Sequence, residues 1–169
     1  MLFYARSDSV EKDYFVKKVL LEDVVHTAIM DYMDSLMQKK ISLDVYNLEN
    51  YVYIDEKWIT FIMCQVLQNS IKYLNKPEKV IKIHSENNKN NVVLVIEDNG
   101  EGILDHDLPR VFEYGFTGTD RQKQYSTGIG LYLCKKLCNK MNLDIKIESQ
   151  YKKFTKVKII FPKTNLYRQ

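Results

Sequence analysis

The sequence has few of the residues that punctuate or crosslink a chain. Its 169 residues include only six glycines, three prolines and three cysteines. No apolar run approaches the roughly 20 residues of a membrane-spanning helix, and no charged-then-apolar signal segment opens the chain. The formal net charge of +3 is too small to indicate a nucleic-acid partner. These absences favour a soluble globular domain that does not act on nucleic acid.

The cysteines predict neither a disulfide framework nor a zinc site. Cys64, Cys134 and Cys138 are odd in number, and each falls in a helical pattern, where free cysteine behaves as a small buried hydrophobe. Cys134 and Cys138 lie one helical turn apart, but no second pair of ligands accompanies them. Because reduced thiols are typical of the cytoplasm, we expect a cytoplasmic domain.

Hydrophobic periodicity is abundant and predicts the fold class. The patterns predict strands at 14–19, 41–47, 51–54, 80–86, 92–98, 143–149 and 154–162, and helices at 21–40, 56–74 and 128–141. Asp55 is the predicted cap of the second helix, and residues 99–127 form a long loop with one short helix near 108–112. Paired strands separated by helices predict an α+β fold: a two-layer sandwich with a mixed sheet and helices on one face.

Three clusters of residues are candidates for function. On the second helix, Gln65, Asn69 and Lys72 lie within about 60° of one another, with Tyr73 one step further round. Taken alone, this cluster is better explained as a solvated helix face. In "VVLVIEDNGEGI" a buried strand runs into Asp98-x-Gly100-x-Gly102. Here the carboxylate can accept hydrogen bonds from an exocyclic amine, while the glycines remove Cβ atoms from the path of a ligand.

The third cluster is "STGIGLYL", in which Gly128 and Gly130 open a helix. The free N–H groups and the dipole of a helix N-terminus attract anions. The segment lacks the Gly-Lys-Ser/Thr of a P-loop, so alone it is a weak signal.

In this order, the three clusters resemble the catalytic and ATP-binding domain of bacterial sensor histidine kinases. That domain belongs to the GHKL superfamily, with type II topoisomerase ATPases, mismatch-repair proteins and heat-shock chaperones. "QVLQNSIKY" resembles its asparagine box, "EDNGEGI" its first glycine box, "RVFEYGFTG" its phenylalanine box and "STGIGLYL" its second glycine box. The resemblance implies a Bergerat-type fold with a long ATP lid. The opening "YARSDSVEKDYFVKKV" resembles the bacitracin-type, intramembrane-sensing subfamily.

The resemblance implies ATP and Mg²⁺ as ligands and assigns roles to residues. Asp98 would bind the adenine amino group, with Gly102 leaving room for the ring. Asn69 would hold Mg²⁺, with Gln65 as a second or water-mediated ligand, and the catalytic set would be Gln65, Asn69 and Lys72. The implied ATP-binding residues are Asn69, Lys72, Tyr73, Asp98, Gly100, Gly102, Ile103, Phe116, Thr117, Gly118, Arg121, Thr127, Gly128, Ile129, Gly130 and Leu131.

The resemblance also assigns roles to residues of the lid, and the sequence departs from the family pattern at two places. Arg121 and Lys123 in the lid would neutralise the γ-phosphate, and Phe116 would anchor the lid. Ser126 replaces the first glycine of the second glycine box. Phe154-Thr155 stands where the family has Gly-Thr.

Gln65 favours a kinase over a water-activating ATPase. ATP-hydrolysing members of the superfamily place a glutamate base at this position, whereas an amide is not a useful base at neutral pH. Phosphoryl transfer to a good nucleophile needs positioning and charge neutralisation more than a base. A nucleotide-binding regulatory module and an anti-sigma-factor-like serine kinase of the same superfamily remain as alternatives.

The phosphate acceptor is expected outside this chain. His26, His84 and His106 all lack the sequence context of the family's acceptor histidine. We therefore expect residues 1–13 to be the end of a linker from a dimerisation and histidine-phosphotransfer domain, and 14–169 to be the catalytic domain. The expected partners are that domain and a response regulator. We expect this domain alone to be a monomer, because no long heptad seam is present, and the full-length protein to be anchored in the cell membrane.

Overall fold

The computed structural model describes residues 14–118 and 128–164. Its elements in chain order are β1 (Lys17–Leu20), α1 (Leu21–Asp31), α2 (Met33–Gln38), β2 (Ser42–Tyr46), β3 (Tyr51–Ile54), α3 (Glu56–Lys72), β4 (Val80–Asn87), β5 (Asn91–Asp98), a 3₁₀ turn (Leu108–Arg110), α4 (Gly130–Lys140), β6 (Asp144–Gln150) and β7 (Phe154–Pro162).

A five-stranded mixed sheet forms one layer of the molecule. Its strand order is β2-β4-β5-β7-β6, with β2 and β4 parallel and the other neighbours antiparallel. β1 and β3 form a separate antiparallel pair. This arrangement confirms the predicted α+β fold with a mixed sheet.

The two faces of the sheet differ in polarity because side chains alternate along each strand. Ile83, Leu94 and Ile96 are fully buried in the core that α3 and α4 cover. The opposite face carries cross-strand ion pairs, in which Lys156 lies 3.8 Å from Glu97, and Lys158 lies 2.8 Å from Glu148. The helices therefore pack on one face, as the patterning predicts.

Several element boundaries differ from the sequence-based prediction. The predicted helix 21–40 is interrupted at Tyr32, whose backbone N–H is shared between the carbonyls of Ala28 and Ile29. The chain leaves α2 through Lys40, which has a left-handed φ of 56°. The first strand begins at Lys17 instead of residue 14, because the N–H of Phe15 donates to the Asp55 carboxylate.

The partners of two predicted strands also differ from the expected pairing of neighbours in sequence. β2 and β3 do not pair with each other: β2 joins β4 in the main sheet, and β3 joins β1. Just after β2 the chain passes through Asn47, which has a left-handed φ of 53°.

Within residues 14–118 and 128–164, no helix has the length and apolar character needed to cross a membrane.

Candidate functional site

A cleft lies at the end of β5, between α3, the segment after Gly102, the start of α4 and the β6–β7 hairpin. Its lining combines apolar side chains with a few polar groups, as is usual for small-molecule sites. The lining residues are Val66, Asn69, Ser70, Tyr73, Asp98, Gly102, Ile103, Leu104, Asp107, Val111, Phe116, Thr117, Gly118, Gly128, Gly130, Leu131, Ile147, Tyr151, Thr155 and Val157.

Asp98 is the buried carboxylate of this cleft and is only 4% exposed. Its Oδ1 accepts a hydrogen bond of 2.9 Å from the N–H of Gly100, and the Ser70 hydroxyl donates to the same carboxylate. Burial raises the pKa of Asp98 to about 6, although these two hydrogen bonds act in the opposite direction. The group is therefore mostly ionised at neutral pH and can accept a hydrogen bond from a donor in the cleft.

α3 contributes further polar groups to the cleft. Asn69 and Tyr73 lie one turn apart at its C-terminal end, and both line the cleft. The carbonyl of Tyr73 accepts a 3.1 Å hydrogen bond from Glu101, which ties this helix end to the loop after β5. Lys72 lies outside the lining, with its Nζ 5.6 Å from the centre of the Tyr73 ring, and partial burial lowers its pKa.

The loop after β5 is held by the β6–β7 hairpin. The N–H of Ile103 donates to the Ser149 hydroxyl at 2.8 Å, and the carbonyl of Glu101 accepts from Lys152. Gly102 has a φ of 73°, and a Cβ at this position would collide with the carbonyl oxygen of Gln150. Packing against Gln150 therefore requires glycine at position 102, in addition to its place in the cleft wall.

The segment before Gly118 closes another side of the cleft. The Arg110 guanidinium lies 4.4 Å from the centre of the Phe116 ring, while its Nε pairs with Glu113 at 3.1 Å. Tyr114 packs edge-to-face on Tyr132 of α4, with ring centres 5.2 Å apart. Phe116 therefore lies at the junction between this segment and the cleft.

The structure brings most of the predicted site residues together. The predicted residues that line the cleft are Asn69, Tyr73, Asp98, Gly102, Ile103, Phe116, Thr117, Gly118, Gly128, Gly130 and Leu131. The predicted residues outside the lining are Gln65, Lys72, Gly100 and Ile129. Arg121, Lys123, Ser126 and Thr127 fall outside the described residues.

Sequence reasoning missed several residues of the cleft wall. Ser70 follows Asn69 directly, and a small polar residue beside a helix asparagine could have indicated a partner for Asp98. Ile147, Tyr151 and Val157 come from the closing hairpin, where the alternating pattern predicts strands but not which residues face a ligand. Asp107 is 5% exposed and lines the cleft, and in the sequence nothing but its position in the loop marks it.

The fold and the cleft define an α+β sandwich domain with a small-molecule cleft at the end of β5. Residues 54–165 match the family described as histidine kinase-, DNA gyrase B-, and HSP90-like ATPase. The chain belongs to this family, which confirms the resemblance seen in the four sequence boxes and the expectation of ATP as the ligand class.

Individual relatives are sensor proteins. The chain is 36% identical to sensor protein BceS of Halalkalibacterium halodurans over 97% of its own length and 49% of the relative. It is also 36% identical to sensor protein kinase GraS of Staphylococcus aureus, over 97% of its own length and 47% of the relative. It thus spans about half the length of these relatives, and the BceS match supports the predicted subfamily.

Solved structures show the same fold. The catalytic domain of histidine kinase ThkA superposes with a TM-score of 0.74 at 20% identity, covering 88% of this chain and 98% of that domain. The likeness extends over nearly all of that catalytic domain, so the predicted fold class is confirmed independently of sequence identity.

Proposed function

We propose that this chain is the ATP-binding catalytic domain of a sensor histidine kinase. In this proposal it binds ATP with Mg²⁺ and transfers the γ-phosphoryl group to a histidine on a dimerisation helix. The observation that carries it is one cleft in which a buried carboxylate, Asp98, and a helix-borne amide, Asn69, face a common space.

The adenine end of the proposed site is Asp98. A purine amino group carries N–H donors, and a buried carboxylate is a strong acceptor for them. Gly100 and Ser70 fix the orientation of the carboxylate, so it is organised before a ligand arrives. Ile103, Leu104 and Val157 supply an apolar wall for a flat ring.

The residues at the other end fit a magnesium–phosphate group. The Asn69 side chain offers a carboxamide oxygen, the hard ligand type that Mg²⁺ accepts. Mg²⁺ would neutralise charge on the phosphate chain. Gly128, Gly130 and Leu131 place the first turn of α4 on the cleft, where free backbone N–H groups attract phosphate. Lys72 would add a cation from the helix edge.

The acceptor histidine would come from outside residues 1–169. His26, His84 and His106 are all described, and none of them lines the cleft. In the transfer, an imidazole nitrogen attacks the γ-phosphorus, an N–P bond forms, the bond to the bridging oxygen breaks, and ADP leaves. The group would then pass to an aspartate of a response regulator.

The relatives support the wider setting of this proposal. BceS and GraS are about twice as long as this chain, which leaves room for a sensing part and a dimerisation and histidine-phosphotransfer domain. We place residues 1–13 at the end of the linker from that domain and the catalytic domain at 14–169, on the cytoplasmic side of a membrane-anchored sensor.

The test is to mix this chain with radiolabelled ATP, Mg²⁺ and the dimerisation helices of a BceS-type sensor. We expect acid-labile label on the helices, and no label when their acceptor histidine is replaced by glutamine. Acid-stable label on a serine would instead support the anti-sigma-factor-like alternative. ATP binding without any transfer would support a regulatory module.

A further inference from the structure

The backbone conformation of Gly130 does not require glycine, but the space around it favours glycine. Its φ lies outside the left-handed region, so a residue with a side chain could adopt the same conformation. A Cβ added there would, however, lie 2.6 Å from the Oε1 of Gln65. The side-chain amide of Gln65 therefore occupies the space in which any larger residue at 130 would place its first carbon.

Gln65 contacts the start of α4 and does not belong to the cleft lining. It lies on α3, one helical turn before Asn69, and is half-buried. Its amide packs against the first residue of α4, whose neighbours Gly128 and Leu131 face the cleft. The contact joins the helix that carries the proposed metal ligand to the turn that carries the proposed phosphate site.

The other side of the same turn is also fixed. The carbonyl of Gly128 accepts a 3.1 Å hydrogen bond from the N–H of Gly115. A Cβ at Gly128 would lie 2.5 Å from the carbonyl carbon of Gly115 and 2.7 Å from the N of Phe116. The segment from Gly128 to Gly130 is thus held between α3 and the segment that ends at Gly118.

We infer that Gln65 is a positioning residue whose side-chain amide sets the spacing between α3 and the first turn of α4. This inference rests on the proposed function, because the spacing affects ligand binding only if Asn69 and the α4 turn bind the same nucleotide. It assigns Gln65 a role through the backbone of Gly130, in place of the expected role as a second or water-mediated ligand of Mg²⁺.

The test is a double-mutant cycle between Gln65→Ala and Gly130→Ala in the full chain. Gly130→Ala alone forces the Gln65 amide to move. Because the atom in the way is the end of a flexible side chain that can shift, we expect a loss of about threefold in affinity for a non-hydrolysable ATP analogue and a fall of about 1–2 °C in the Tm of the nucleotide-free protein. In the Gln65→Ala background the space is open, so neither loss should occur.

The inference predicts that the change in Tm caused by Gly130→Ala reverses its sign when Gln65 is shortened. Alanine has a higher helix propensity than glycine. Once Gln65 is shortened, Gly130→Ala should therefore raise the Tm of the nucleotide-free protein instead of lowering it. Losses that simply add in the double variant would overturn the inference.

Gln68→Ala is the matched control, because Gln68 is an exposed glutamine on the same helix. Gln68→Ala should not rescue Gly130→Ala in either measurement. Rescue by this variant as well would show that the effect is a general softening of α3 and would overturn a specific contact.

The dependence on metal separates positioning from ligation. Gln65→Ala should lower analogue affinity by roughly threefold both with Mg²⁺ and with the metal chelated, since the residue acts through α4. A loss confined to Mg²⁺ would make Gln65 a metal ligand and overturn the inference. If the unaltered chain bound no nucleotide at all, the proposed function would fail, while the Tm cycle would still measure the Gln65–Gly130 contact.

Discussion

At the scale of single residues, burial of the ionised Asp98 carboxylate in the cleft lowers the free energy of unfolding. Its pKa in the folded chain is about 6, above the ordinary value of 3.8, because burial disfavours the charged form. Between about pH 4 and pH 6 the folded protein retains a proton on Asp98 that the unfolded chain has released. Stability therefore falls as pH rises through this window, and the full cost is present at pH 7.

Asp98→Asn should have opposite effects on stability and binding. At pH 7 the neutral amide avoids the cost of burying a charge, so we expect the free energy of unfolding to rise by on the order of 1–3 kcal/mol. The gain should shrink as the pH falls from about 6 to about 4 and should be absent below pH 4. ATP-analogue affinity at pH 7 should fall by roughly tenfold, the scale of a lost charge-assisted hydrogen bond.

Calorimetry and urea unfolding of the same samples would measure both effects of Asp98→Asn. Glu97→Gln is the matched control, because Glu97 faces the opposite side of β5 and pairs with Lys156 at 3.8 Å. Unchanged nucleotide affinity in Asp98→Asn would contradict the adenine role. A stability gain in Glu97→Gln of the same size would contradict the assignment of the cost to the buried site.

The glycines show how far residue-level prediction from sequence reaches. The sequence predicts that Gly100 and Gly102 belong to a binding loop, and Gly102 does line the cleft. It does not show that a Cβ at Gly100 would lie 2.6 Å from the carbonyl oxygen of Tyr73, or that Gly102 packs on Gln150. Those neighbours are distant in sequence, so the physical reason for each glycine appears only in the folded chain.

At the scale of elements, α3 depends on its first residues. Asp55 is 3% exposed, and its carboxylate accepts from the N–H groups of Lys57 at 2.9 Å and Trp58 at 3.4 Å. The same carboxylate accepts from the N–H of Phe15 at 2.9 Å. One side chain therefore caps the helix that carries Asn69 and also fixes the path of the chain into β1.

Asp55→Ala should destabilise the domain by about 2 kcal/mol, the upper range for loss of a helix N-cap, because it leaves three N–H groups without this acceptor. Asp55→Asn should keep most of the stability, since asparagine is also a good N-cap. Urea unfolding would measure both variants. Asp105→Ala, at an exposed loop aspartate, is the control and should change stability by less than about 0.5 kcal/mol. A similar loss in all three variants would contradict the capping role.

Element prediction succeeded where the periodic pattern was long and bounded by clear signals. α3 has an aspartate cap and a continuous apolar stripe, and its predicted position is confirmed to within two residues. The interruption at Tyr32 was not predicted, because neither proline nor glycine marks it and the apolar rhythm continues across it. The pairing of β2 with β4 was also missed, since parallel partners are set by tertiary packing and not by neighbouring sequence.

At the scale of the whole molecule, the cleft is assembled from parts of the chain that are distant in sequence, and four of them carry the proposed nucleotide contacts. α3 contributes Asn69, the end of β5 contributes Asp98, the start of α4 contributes Gly130, and β7 contributes Val157. A ligand that contacts all four parts stabilises the folded state alone, because the unfolded chain does not bring them together. Nucleotide binding should therefore be measurable as a rise in global stability.

An ATP analogue at 100 times its Kd should stabilise the domain by about 2.7 kcal/mol, or roughly 5–10 °C in Tm. Part of this rise should require Mg²⁺, because in the proposed site Asn69 would hold the metal that neutralises the phosphate charge. At the same analogue and metal concentrations, Asn69→Ala should remove the Mg²⁺-dependent part and leave a smaller, metal-independent rise from the contacts around Asp98. Asn75→Ala, at an exposed asparagine just beyond α3, is the matched control and should keep both parts. If Asn69→Ala retained the full Mg²⁺-dependent rise, the metal would bind elsewhere, and the assignment of the phosphate end of the cleft would fail while the adenine end stood.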